Sequence, residues 1–184
     1  MKTPSPRPLK GSLFWLALLL QVSLVALLPT RKALTLATGT LIYLQIAPRD
    51  PYDPLRGRYV TLSYAVAQLS TLKKLPGWSP ELRKPGILYL RLAPPAGDPA
   101  QPWQAVGISR DRPRDLRPGE VVLQGWFDGW QLRFGIEEFF LPEALGEVLE
   151  EAIRHRPETL RAEVKVDPWG KAALVGLWAG ERRY

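Results

Sequence analysis

The chain has 184 residues with no cysteine, a single histidine, His155, and a formal net charge of +7. That composition removes thiol nucleophiles, disulfides, thiolate metal sites, Ser-His-Asp catalysis in its usual form and multi-histidine zinc sites, so no cofactor or metal is implied. The charge excess belongs to Lys2, Arg7, Lys10, Arg31 and Lys32, which precede the first acid; removing these five from 25 basic residues leaves 20 against 18 acids, and a nucleic-acid footprint is not implied.

Residues 1–10 form a basic tail. From Leu13 to Leu28 the sequence reads LFWLALLLQVSLVALL, with only Gln21 and Ser23 polar. A helix over these sixteen residues is about 24 Å long, against about 30 Å of bilayer hydrocarbon, so residues 11–29 are expected to serve as the membrane segment. A secretory signal peptide is the rival reading. The following PTRKALTLATG has no convincing small-x-small cleavage triplet close to the apolar end, and Arg31 and Lys32 form a stop-transfer flank, which favours an uncleaved anchor. Three basic groups precede the segment and two follow; with the α-amino group this sets the N-terminus inside. Residues 33–184 are then an extracytoplasmic domain on a single-pass anchor in the cell membrane.

Downstream the apolar residues recur with period two. Eight strands are predicted, over 40–47, 59–66, 87–93, 103–109, 120–127, 131–140, 160–167 and 172–178. Asp128-Gly129 and Asp167-Pro168-Trp169-Gly170 read as hairpin turns. Most of the 19 prolines fall between strands, where a missing N–H costs no ladder bond. PEALGEVLEEAIRHR, ending at Arg156, places Leu145, Val148, Leu149, Ala152 and Ile153 on one stripe of an amphipathic helix, with His155 solvated near its end. A shorter helix or a flexible connection is expected over Val66 to Leu75. The fold class is mainly β, a β-rich α+β arrangement: an N-terminal transmembrane helix, then one antiparallel domain of about eight strands with one amphipathic helix.

The densest stretch is APRDPYDPLRGRYVTLSY, residues 47–64. Asp50-Pro51 and Asp53-Pro54 read as turns, and Gly57 permits a positive φ ahead of a strand starting at Tyr59. Val60, Leu62 and Tyr64 then share one face, and Tyr59, Thr61 and Ser63 the other. Arg49, Arg56 and Arg58 could instead converge on a carboxylate or phosphate, although Asp50 and Asp53 lie among them as ready partners.

DPYDPLRGRYVTLSY resembles the signature of the bacterial GDYXXLXY family, whose pattern is Gly-Asp-Tyr-x-x-Leu-x-Tyr. Gly57, Tyr59, Leu62 and Tyr64 fall on that pattern, Asp50, Pro51, Leu55 and Arg56 on its lead-in, and Arg58 stands where the pattern has aspartate. FGIEEFFLPEALGEVLE, residues 134–150, is similar to a second block of the family through Glu137, Phe140, Pro142, Glu143, Gly146 and Glu150. The resemblance implies a membrane-anchored protein and no particular activity.

Three functional readings follow. The absence of cysteine, the lone histidine and the lack of a phosphate loop favour a non-enzymatic domain that contacts an envelope or polytopic membrane protein. A pocket lined by some of Trp78, Trp103, Trp126, Trp130, Trp169 and Trp178 would make a small-molecule or lipid-binding domain. A membrane-anchored hydrolase would need Ser63 or Ser70 with Lys73 or Lys74, or a carboxylate pair joining Glu143 to either Glu137 or Glu138, which alternate in a strand.

Overall fold

The computed structural model describes residues 11–47, 59–140 and 160–184. The chain divides into two compact units, Met1–Leu34 and Thr35–Tyr184. Helix α1, Gly11–Thr38, begins in the first and ends in the second. In the first unit Leu13, Phe14, Trp15, Leu16, Leu19, Leu20, Val22, Leu24 and Val25 are all exposed.

The expected transmembrane helix is not found as such: among the described residues no helix is long and apolar enough to cross a membrane.

The second unit is mainly β. Its strands are β1 (Thr40–Ala47), β2 (Tyr59–Thr61), β3 (Ser63–Tyr64), β4 (Gly86–Ala93), β5 (Gln104–Ser109), β6 (Val121–Phe127), β7 (Leu132–Arg133), β8 (Glu138–Phe140), β9 (Leu160–Val166), β10 (Ala172–Ala179) and β11 (Arg182–Arg183). A five-stranded sheet has the order β11-β10-β9-β1-β3, a four-stranded sheet β5-β4-β6-β7, and β2 pairs with β8. All of these pairings are antiparallel.

Alternation builds one core from the two larger sheets. Ile42, Leu44 and Ile46 of β1, Leu88, Leu90 and Leu92 of β4, and Leu160, Ala162, Val164 and Val166 of β9 all turn into it. The β9–β10 hairpin reaches the second sheet, where the Gln124 N–H donates to the Gly170 carbonyl at 2.8 Å. Gly170 has φ 91°, and a Cβ there would lie 3.1 Å from the Val122 carbonyl, so both the turn and the close approach require glycine.

Among the described residues eleven strands replace the expected eight. The run over 59–66 breaks at Leu62, where the chain changes partners from β8 to β1, and ends in a 3₁₀ turn at Ala65–Ala67. The run over 131–140 breaks at Gly135, whose φ of 78° leaves the extended region. Strand β11 is two arginines, with no apolar alternation to reveal it. The Val66 to Leu75 segment holds only a four-residue helix, α2 (Leu69–Leu72), and a 3₁₀ turn spans Pro80–Arg83. The amphipathic helix expected near 142–156 lies outside the described residues.

Candidate functional site

The two sequence blocks separated by some seventy residues meet in space. Their junction is the segment Tyr59 to Tyr64. Its first half pairs with β8, Tyr59 opposite Phe140 and Thr61 opposite Glu138. Its second half pairs with β1, Ser63 opposite Ala47 and Tyr64 opposite Ile46. Between the halves the Leu62 N–H donates to the Glu137 carbonyl at 2.6 Å.

Alternation turns Leu62 and Tyr64 inward. Tyr64 is only 1% exposed, and its hydroxyl donates to the Ile136 carbonyl at 2.7 Å. Its ring lies 6.0 Å from that of Phe134, tilted by 53°. Burial, and secondly the nearby Glu137 charge, push the phenol well above its ordinary pKa, so Tyr64 is a neutral hydrogen-bond donor.

Glu137 holds the facing turn. Its carboxylate accepts the N–H groups of Phe134 at 2.5 Å and Gly135 at 2.9 Å. Two amides that a strand break would leave unpaired are thereby satisfied by one charged acceptor.

Beside this junction is a cleft of about 390 Å³ lined by Thr61, Leu62, Ser63, Gln131, Arg133, Gly135, Glu137 and Glu138. The β6–β7 hairpin supplies its basic side. Asp128 accepts the N–H groups of Trp130 and Gln131, each at 2.9 Å, and its second oxygen lies 3.2 Å from Arg133 Nε. Partial burial raises the Asp128 carboxyl, but the two amides and Arg133 outweigh it and hold the carboxyl below its ordinary pKa.

Of the residues singled out by sequence, Leu62, Tyr64 and Glu137 converge here. Tyr59 contributes its backbone to β2. Asp50, Pro51, Arg56, Gly57, Arg58 and Glu143, and also His155, lie outside the described residues. Both Glu137 and Glu138 line the cleft, contrary to the alternation expected of them, because β8 begins only at Glu138 and Glu137 still belongs to the turn. Ser63 also lines the cleft, whereas Ser70, Lys73 and Lys74 do not.

None of the tryptophans lines the cleft. Trp78 and Trp103 pack against the core, while Trp126, Trp130 and Trp169 are exposed. Gln131 and Arg133 are not legible as site residues, since Gln131 forms only an isolated bridge to Gln68 and Arg133 ends the two-residue β7, with no distinguishing motif.

A second polar cluster lies on the five-stranded sheet. The buried Glu163 accepts Trp178 Nε1 at 2.9 Å and Arg183 Nε at 2.8 Å. The Arg161 guanidinium lies 5.6 Å from the Tyr43 ring centre and 5.4 Å from that of Trp178. Glu163 thus has a counter-charge and Arg161 two aromatic faces, while the buried Arg161 Nε makes no hydrogen bond.

Fold and site together define an antiparallel β protein in which two distant sequence blocks lock through a buried tyrosine and a turn-capping glutamate. The chain belongs to the GDYXXLXY family: the model described as GDYXXLXY protein matches residues 21–177. No curated protein and no solved structure matches the chain.

Proposed function

We propose that this protein is held in the cell membrane by its N-terminal apolar segment and works outside the cytoplasm, without catalysis, through contacts with an envelope or polytopic membrane protein. The anchor is supported by the sixteen-residue run Leu13 to Leu28 and by the exposed apolar side chains along α1. A helix apolar on every side requires either a protein core or lipid around it.

The non-enzymatic reading rests on how the signature side chains are used. Among the described side chains of the signature, Tyr64 and Glu137 carry chemically useful groups, and they are committed to the Ile136 carbonyl and to the Phe134 and Gly135 amides. The exposed charges at the cleft, Glu138 and Arg133, the latter also paired with Asp128 through Nε, suit recognition of a polar surface. The test is co-purification from detergent-solubilised membranes by wild type and by Arg133→Glu and Glu138→Lys variants of unchanged melting temperature. Loss of one and the same membrane protein from both variants supports the reading; identical recovery by all three proteins refutes it.

A second reading, a small-molecule-binding domain, is favoured by the cleft volume itself, which suits a compact polar ligand held between Arg133 and Glu138. Saturable thermal stabilisation by such a ligand, abolished in the same two variants, would establish it in place of the first.

A further inference from the structure

We propose that Trp169 is a lipid contact: the Asp167–Gly170 turn rests in the headgroup region of the bilayer that holds the anchor, with the indole in the interface. The inference rests on the membrane-anchor reading above and adds to it the face of the domain that touches lipid.

The starting observation is an exposed aromatic ring on a rigid turn. Trp169 is 57% exposed, yet its backbone is fixed, because Asp167 Oδ1 accepts the N–H groups of Trp169 and Lys171, each at 2.9 Å. Gly170 closes the turn and is pinned to β6 through its carbonyl. An indole held open to solvent on a rigid turn presents apolar area at little further entropic cost.

The second observation places that turn at the start of the domain. The other oxygen of Asp167, Oδ2, accepts the Thr35 hydroxyl at 2.9 Å, and the Lys165 ammonium donates to the Leu36 carbonyl at 2.5 Å. One carboxylate therefore bridges the turn carrying Trp169 and the first residue of the unit. Thr35 follows Leu28, the end of the apolar run, by seven residues. Even fully extended, that tether reaches about 25 Å at most. The turn is consequently confined near the membrane, whichever way the domain faces.

The chemistry around the turn fits a phospholipid surface. Lys165 and Lys171 flank it in the chain, and Arg112 donates to the Pro168 carbonyl. Asp167, the carboxylate of the turn, has both oxygens occupied. Indole with nearby Lys and Arg is the composition favoured at membrane–water interfaces, where the ring sits at headgroup level and cations meet anionic phosphates. Trp130 is more exposed, at 74%, but belongs to the β6–β7 turn, whose Asp128 is spent on the Trp130 and Gln131 N–H groups and on Arg133. The structure thus assigns the lipid contact to position 169 and not to exposure as such.

The absence of native cysteine allows a clean test. The full chain carrying Trp169→Cys or Trp130→Cys is labelled with an environment-sensitive nitrobenzoxadiazole probe and reconstituted into phosphatidylethanolamine/phosphatidylglycerol vesicles, with flotation measured on the same samples. Floating protein with a blue-shifted, several-fold brighter probe at 169, quenched by lipids brominated near the headgroup, and an aqueous probe at 130 is the expected result. Floating protein with aqueous probes at both positions overturns the lipid contact and leaves the anchor standing. Equal shifts at 169 and 130 also overturn it, as general adsorption. Protein that does not float removes the anchor reading and this inference together. Should Trp169→Cys lose its thermal transition, Lys171→Cys carries the probe two residues further on.

Discussion

Tyr64→Phe isolates the hydrogen bond that joins the two signature blocks. The ring and its packing against Phe134 are retained, and only the hydroxyl that donates to the Ile136 carbonyl at 2.7 Å is lost. A buried carbonyl deprived of its donor costs about 1–2 kcal/mol. In a β-unit of this size that lowers the melting temperature by about 3–6 °C.

The same variant carries a pH signature. The folded-state pKa of Tyr64 is raised, by burial first and the Glu137 charge second, while an unfolded tyrosine titrates near 10. Its contribution is therefore complete below about pH 10 and declines as pH rises further, by at most about 1.4 kcal/mol per pH unit. Phenylalanine has no such loss. The gap between wild type and Tyr64→Phe should stay constant from about pH 7 to 9 and close by about pH 11. Thermal unfolding followed by circular dichroism across that range measures it. A gap of the predicted size that does not change above pH 10 would refute the buried, neutral phenol, and no gap at pH 8 would refute the hydrogen bond's importance.

Glu137→Gln should lower stability by about 1–2 kcal/mol, because a neutral amide replaces the charged acceptor of two backbone N–H groups, whereas Glu138→Ala, at an exposed position, should stay within about 0.5 kcal/mol; urea titration of both separates a structural from a surface carboxylate. Gly170→Val should be strongly destabilising, since φ is 91° and the new Cβ meets the Val122 carbonyl at 3.1 Å; a melting temperature within a degree of wild type would contradict the turn geometry. Asp128 has a lowered folded-state pKa, so its contribution is present above the unfolded value of about 4 and fades as pH falls through the folded one. Asp128→Asn should accordingly flatten the acid side of the stability profile, and an unchanged acid limb would count against the Arg133 and amide contacts.

Local sequence determined most of the strands, because β1 and β4 bury alternate residues and so advertise themselves as apolar alternation, while β6, β9 and β10 stand out as apolar runs between turn signals. The turns at Asp128-Gly129 and Asp167–Gly170 were equally legible, since aspartate caps nearby amides and glycine supplies the positive φ. The signature residues Leu62, Tyr64 and Glu137 could be picked out as a pattern, but what they do could not be read from it. Only the tertiary structure decided that Tyr64 reaches the Ile136 carbonyl, that Glu137 caps its own turn, and that the Tyr59 to Tyr64 segment divides its pairing between β8 and β1. It also decided the Gln131 and Arg133 side of the cleft and the Asp167 link to Thr35. The physical reason is range: alternation and turn chemistry are set by neighbours within a few residues, while hydrogen bonds closing over 72 and 132 residues depend on sheet order, which no local pattern encodes.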